Sequence, residues 1–212
     1  TRVKQLLMRM HEVYYFVLPS IKNPLAPKGV KCIYINSGVL NNIKFLRFFN
    51  YLYTIRNLTK KYKTDILHII NMASSMHAPF SKSKKVILEN EGSDVLLWPV
   101  KSWRRRLQYR FCYPYADAVI QDSKISQDAG IRYGAPKRNN EIIKIGIDFT
   151  KFNLDVRKNV ARQRLKIKDS QKFVFCSRSF EERYNMDTII ETIPKVSSKI
   201  PGVKYVFSSL TD

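Results

Sequence analysis

Acidic residues are scarce in this chain: 17 Asp and Glu stand against 38 Lys and Arg in 212 residues, a formal charge of +21 at pH 7. Such an excess favours anionic partners, whether nucleic acid, anionic lipid headgroups or phosphorylated substrates, and selects none of them. Cysteine is scarce too. Cys32, Cys112 and Cys176 lie far apart, without CxxC or ligand spacing, and each sits among apolar residues. Buried, reduced thiols are the expectation, and a cytosolic location fits them. The three histidines, His11, His68 and His77, show no HExxH or other metal spacing. His68, mid-strand among isoleucines, is expected to be a buried histidine with a hydrogen bond. There is no DxD carboxylate pair, no G-x-S-x-G elbow, no Walker A loop and no GxGxxG. No apolar run approaches the roughly 20 residues of a membrane-spanning helix. Thr1 to His11 is basic and amphipathic, with no cleavage site of the signal-peptide kind. Internal repeats and low-complexity tracts are absent.

What is present is enough apolar material for a proper core, 44% of residues, arranged as alternating strands and helices. Thr1 to Met10 reads as the end of an amphipathic helix, with Val3, Leu6, Leu7 and Met10 on one face. Strands are expected over Val13–Leu18, Lys31–Asn36, Asp65–Ile70 and Lys85–Leu88, and a long helix over Asn41–Lys63. A helix over Ser102–Tyr115 precedes the strand Ala118–Ile120. Strands alternating with helices at this spacing argue for a parallel sheet covered on both faces. Beyond it, a helix over Val156–Leu165, a strand over Phe173–Cys176, a helix over Met186–Lys199 and a strand over Val203–Phe207 form the opening βαβ of a second domain.

The stretch Ala116–Phe152 carries the most local information. Asp122 and Ser123 supply short polar side chains where the strand hands over to a helix. That helix, Lys124–Tyr133, places Ile125, Ala129 and Tyr133 on one face. Gly134-Ala135-Pro136 stops it, and Glu141–Ile147 alternates back into a strand before the turn at Gly146 and Asp148. Ala116-Asp117-Ala118-Val119-Ile120, Ser123, Gly134-Ala135-Pro136, Gly146-Ile147-Asp148 and Phe152 occur in the order found in retaining GT-B glycosyltransferases of the group 1, or family 4, type, and the chain resembles that family. Asp65–Ile70 is similar to the family's "DIVHAH" strand, and His11-Glu12-Val13 to the entry of its second βα step.

The resemblance implies an α/β chain of GT-B type. Residues 1–150 would be an acceptor-side Rossmann-like domain lacking its first strand, and residues 151–212 a linker helix and the start of a nucleotide-sugar-binding domain. The first strand with its glycine-rich loop is expected before Thr1, and the family's paired glutamates beyond Asp212, so the fragment alone is expected to be inactive. The implied reaction moves a sugar from a nucleotide diphosphate to a glycan or lipid-linked hydroxyl, with retention, in cell-surface polysaccharide or glycolipid synthesis. The nucleotide sugar is the substrate, and neither cofactor nor metal is expected. Localisation is expected to be cytoplasmic, with the protein peripheral on the cytoplasmic membrane face.

Three groups of residues are candidates for the site, since ligands of open α/β sheets bind beyond the carboxyl ends of the strands. Glu91-Gly92-Ser93-Asp94 stands in the place of the family's "HGSD", where the histidine lies beside the transferred sugar. Glu91 departs from that pattern: a carboxylate can accept a sugar hydroxyl's hydrogen bond but adds negative charge beside a diphosphate, and an ordinary loop carboxylate is the alternative. Gly92, Ser93 and Asp94 form the accompanying turn. Arg178 matches the family's arginine on the donor diphosphate, and Arg183 is the nearest basic counterpart of its lysine, with solvated arginines as the alternative. Trp103, Arg104, Arg105 and Arg106 open a helix whose arginine stems and aromatic rings suit an anionic headgroup interface. A solvated face with its aromatics turned inward remains open for that helix. An epimerase or hydrolase of the same fold is the nearest rival, and a non-catalytic basic scaffold the next. Lys and Arg are scattered and no nucleic-acid motif is present, so no specific nucleic-acid partner is expected.

Overall fold

The computed structural model describes residue 9 and residues 11–17, 28–35, 44–144, 146–149, 152 and 158–208. The expected helix over Thr1–Met10 lies outside these apart from Arg9. The chain divides into two compact units, Thr1–Ile147 and Asp148–Asp212.

In the first unit β1 (Tyr14–Val17) pairs in parallel with β2 (Lys31–Tyr34). A second sheet has the order β3 (Ile66–Ile70), β4 (Lys85–Glu89), β5 (Ala118–Gln121) and β6 (Asn140–Ile142), again all parallel. Among the described residues no pairing joins the two sheets. Parallel neighbours require crossovers, and in the larger sheet helices supply them. The long one, α1 (Lys44–Lys61), turns Leu52, Ile55 and Thr59 inward at helical spacing while Phe48, Phe49 and Tyr53 stay exposed.

The core lies on one face of the larger sheet. Leu67, Ile69, Val86, Leu88 and Val119 are buried there with Tyr109 and Tyr113. Cover on the opposite face is partial in β4 and β5 and lacking in β3, where Ile66 and Ile70 are exposed. His68 shares that open face, so it is not the buried histidine its apolar neighbours imply. It has the expected hydrogen-bonding partner, with Nε2 2.8 Å from a Glu89 carboxylate oxygen. The period of two decides this: Leu67 and Ile69 take the core side, and His68 must take the other.

Two further expectations are corrected. The strand expected over Glu141–Ile147 is only Asn140–Ile142. Its partner β5 ends at Gln121, whose carbonyl accepts Ile143 N at 2.9 Å before the chain turns into a helix, so the ladder stops there, and Ile143 and Ile147 are exposed. Of the cysteines only Cys112 is buried; Cys32 and Cys176 are half-buried, and all three are free thiols.

After α1 the described residues of this unit form α2 (His77–Phe80), α3 (Ser93–Leu96), α4 (Trp98–Lys101) and α5 (Trp103–Cys112), the last continued by a 3-10 turn over Tyr113–Tyr115. Then α6 (Lys124–Arg132) is capped by Ser123, whose Oγ accepts from Ser126 N. The second unit holds α7 (Lys158–Arg164) and a parallel pair, β7 (Phe173–Cys176) and β8 (Lys204–Phe207), linked by α8 (Met186–Lys199).

Candidate active site

The loops that follow β3, β4 and β5 meet at the carboxyl edge of the sheet, and Asp94 ties the first two together. Its Oδ2 accepts Met72 N at 3.0 Å, while Oδ1 accepts Glu91 N at 3.0 Å and Val95 N at 2.9 Å. Asp94 is fully buried. Burial pushes its carboxyl above the ordinary value, against the opposing pull of the three backbone N–H groups. It is therefore a clamp between loops, closed to a ligand arriving from solvent. The N–H groups of Glu91 and Val95 are engaged by that clamp, so they are not offered outward as the small-residue turn implies.

Gly92 is required by its backbone and by its neighbour. It has φ +91, a left-handed conformation, and a Cβ built on it would lie 3.0 Å from Asp122 Oδ2. The same φ lets its carbonyl accept Val95 N and Leu96 N, which starts α3. Ser93, half-buried, is the first residue of that short helix.

Glu91 is exposed on the rim. Its Oε2 accepts Asn71 Nδ2 at 3.2 Å, while Asn71 Oδ1 caps the following turn by accepting Ala73 N at 2.9 Å. Asn71 holds φ +76, strained for a non-glycine residue. Sequence reasoning missed two residues here. Asn71 follows β3 directly, and its side chain is what orients Glu91. Asp122 follows β5 directly, where it reads as a helix cap; Ser123 performs the capping, and Asp122 packs on Gly92, its Oδ1 accepting the Ser123 hydroxyl at 3.0 Å. The position of each just past an apolar strand was the available signal.

Helix α5 supports this edge from one side. Tyr109 OH donates to the Asp94 carbonyl at 2.6 Å, and Gln108 Nε2 donates to the Met72 carbonyl at 3.1 Å and to Ser75 Oγ at 3.0 Å. Its three arginines point three ways, as residues 100° apart on a helix must. Arg104 is exposed with its guanidinium 5.7 Å from the Trp103 ring centre. Arg105 is half-buried, bonded to Gln108 and stacked on Trp98. Arg106 is tethered through Nε to the Pro99 carbonyl at 2.8 Å. The aromatics are not turned inward as a set: Tyr109 is buried, but Trp103 is 62% exposed, and Leu107 and Phe111 lie with it on the outside.

The other two candidates belong to the second unit. Arg178 follows β7, is exposed, and stacks its guanidinium 5.1 Å from the Tyr184 ring centre. Arg183 lies in the 3-10 turn Glu182–Tyr184 that precedes α8. Both therefore sit on the strand-to-helix connection. Among the described residues no group of three His, Cys, Asp or Glu side chains has the arrangement of a metal site, and no helix is long and apolar enough to cross a membrane.

A sequence profile described as Glycosyltransferase Family 4 matches residues 2–151. No curated protein sequence matches significantly. Sucrose-phosphate synthase from Thermosynechococcus elongatus superposes with a TM-score of 0.76 at 14% identity, over 100% of this chain and 56% of that one. HepE from Anabaena, solved with UDP and glucose, gives 0.53 at 13% identity, over 84% of this chain and 56% of that one. UDP-N-acetylglucosamine 2-epimerase from Rickettsia bellii gives 0.51 at 13% identity, over 86% and 48%. The chain thus spans about half the length of these structures, and its fold class is α/β of the GT-B type.

Proposed function

Because this chain belongs to Glycosyltransferase Family 4, we propose that the protein moves a sugar from a nucleotide diphosphate to a hydroxyl acceptor, with retention at the anomeric carbon. The observation that carries this reading is the profile match over residues 2–151, which spans the entire Glu91–Asp94 edge. On this reading residues 1–150 serve the acceptor, and residues 151–212 begin the donor side. Carboxylates at the first edge suit hydroxyl groups, since Glu91 accepts hydrogen bonds and Asn71 holds it in place. Asp94 positions that loop without touching substrate.

The donor's charge is the task of Arg178 and Arg183. As the bond from the anomeric carbon to the diphosphate breaks, negative charge develops on the departing oxygen, and fixed guanidinium groups beside it stabilise that state. Two arginines meet the need that a divalent cation meets elsewhere, so the proposed reaction uses no metal. The acceptor is a glycan or a lipid-linked hydroxyl in polysaccharide or glycolipid synthesis, handled at the cytoplasmic membrane face. The exposed Trp103, Leu107 and Phe111, with Arg104 beside them, support a peripheral contact with anionic lipid.

Ligand-detected NMR with UDP, UDP-glucose and UDP-N-acetylglucosamine, on the full chain and on Arg178→Ala, tests the donor assignment. Binding that weakens about tenfold in the variant, roughly 1.4 kcal/mol, agrees with it. Binding that ignores the substitution overturns the role of Arg178. The resemblance in fold to an epimerase, with Glu91 where the family has histidine, favours one second reading: nucleotide-sugar epimerisation. Conversion of UDP-N-acetylglucosamine without any acceptor would establish that reading instead.

A further inference from the structure

A cleft of about 650 Å3 opens at the opposite edge of the first unit, at the amino ends of β3 and β4. A strand of five residues spans about 16 Å, so this cleft is separate from the Glu91–Asp94 edge. Five cations line it: Arg56 and Lys60 from the last turns of α1, Lys63 from the turn that ends it, and Lys82 and Lys84 from the connection into β4. Only Lys84 has an acidic partner among the described residues, Asp65, at 2.7 Å.

Three features distinguish the cleft from the lysines scattered elsewhere. First, its walls are joined by hydrogen bonds from backbone N–H groups. Lys82 N donates to Thr59 Oγ1 at 2.9 Å, and Lys84 N donates to the Thr64 carbonyl at 3.2 Å. Second, α1 ends in a Schellman turn, with Thr64 N donating to the Thr59 carbonyl and Lys63 N to the Lys60 carbonyl. That turn forces φ +44 on Lys63, a position where glycine is the favoured residue. Third, Thr64 lines the cleft and its Oγ1 is buried without a hydrogen-bond partner. Complementing the negative end of the α1 dipole accounts for Lys60. It does not account for a strained lysine at the cap or for Lys82 and Lys84, which come from another segment.

We propose that this cleft binds a phosphorylated anion carrying at least two phosphate groups. Cations from two segments enclose it, with Asn57 and Thr64 supplying polar groups to the phosphate oxygens. Its source is either a soluble polyphosphate or a phosphorylated lipid headgroup, and neither depends on the glycosyl-transfer reading.

The test is a calorimetric titration of the full chain with sodium pyrophosphate, alongside sedimentation with phosphatidylcholine vesicles containing phosphatidylinositol bisphosphate. The double variant Lys63→Gly/Lys82→Gln removes two lining charges and relieves the left-handed strain. Lys195→Gln/Lys199→Gln removes the same charge from exposed positions on α8. Saturable pyrophosphate binding that weakens about tenfold or more in the first variant and less than about twofold in the second supports the proposal with a soluble ligand. Vesicle capture with the same sensitivity, without pyrophosphate binding, supports it with a headgroup. Arg56→Gln leaves the turn untouched and repeats the comparison if the double variant fails to fold. Absence of saturation with both probes, or equal weakening by both charge-removing pairs, overturns it.

Discussion

Replacing Asp94 with asparagine keeps the shape of the side chain and inverts half of its chemistry. The carboxylate accepts from Met72 N, Glu91 N and Val95 N. An amide presents an NH2 group to one side of that set, whichever way it is turned, so a donor meets a donor. The cost depends on which N–H is abandoned. Val95 N also donates to the Gly92 carbonyl at 3.1 Å, and Glu91 is exposed enough for water to replace its partner. Met72 is fully buried and has no such recourse. Leaving a buried donor unmatched costs about 1–3 kcal/mol. Relief of the buried negative charge offsets part of this, since burial already pushes the Asp94 carboxyl above its ordinary value. A net loss of about 1–2 kcal/mol follows, worth roughly 2–8 °C in Tm for a unit of this size. Circular dichroism melting at neutral pH reads the loss, and hydrogen exchange at the Met72 amide locates it. A variant that melts within a degree of the parent, with Met72 still protected, refutes the clamp and makes removal of the buried charge the dominant effect.

Gly92→Ala adds the cost of a side chain at φ +91 and ψ −74, roughly 1–3 kcal/mol, to the 3.0 Å approach of Asp122 Oδ2. The urea midpoint should fall accordingly, and adding Asp122→Ala should restore only the contact part; full restoration would mean that φ is not at issue. His77 governs an acid response. Burial lowers its imidazole from 6.5 to about 4, so within that window the unfolded chain binds a proton that the folded chain does not. Stability therefore falls as pH drops through the window, by about 3 kcal/mol in total. His77→Gln should flatten the measured slope between those values; an unchanged slope would place the titrating group elsewhere.

Much of this protein was determined by sequence alone. Alternating apolar runs and helical stripes placed every described strand except the end of β6, and the longer helices, to within a few residues, because a strand buried beside parallel neighbours must be apolar and short. Gly92 was legible as a turn for the same local reason. Tertiary structure decided the rest. Whether alternation becomes a strand depends on a partner, and the ladder stops once Ile143 N has bonded the Gln121 carbonyl, because β5 ends there. Which side His68 occupies was settled by the register that gave Leu67 and Ile69 to the core. Asp94 looked like a ligand group, since its spacing cannot reveal that three backbone N–H groups from two loops close around it. Asn71 and Asp122 join Glu91 and Gly92 only because separate strands end side by side. Composition gave net charge, but the concentration of Arg56, Lys60, Lys63, Lys82 and Lys84 in one cleft required a helix end and a distant loop to meet. Local preferences act between residues near in sequence, whereas a site joins atoms brought together by packing.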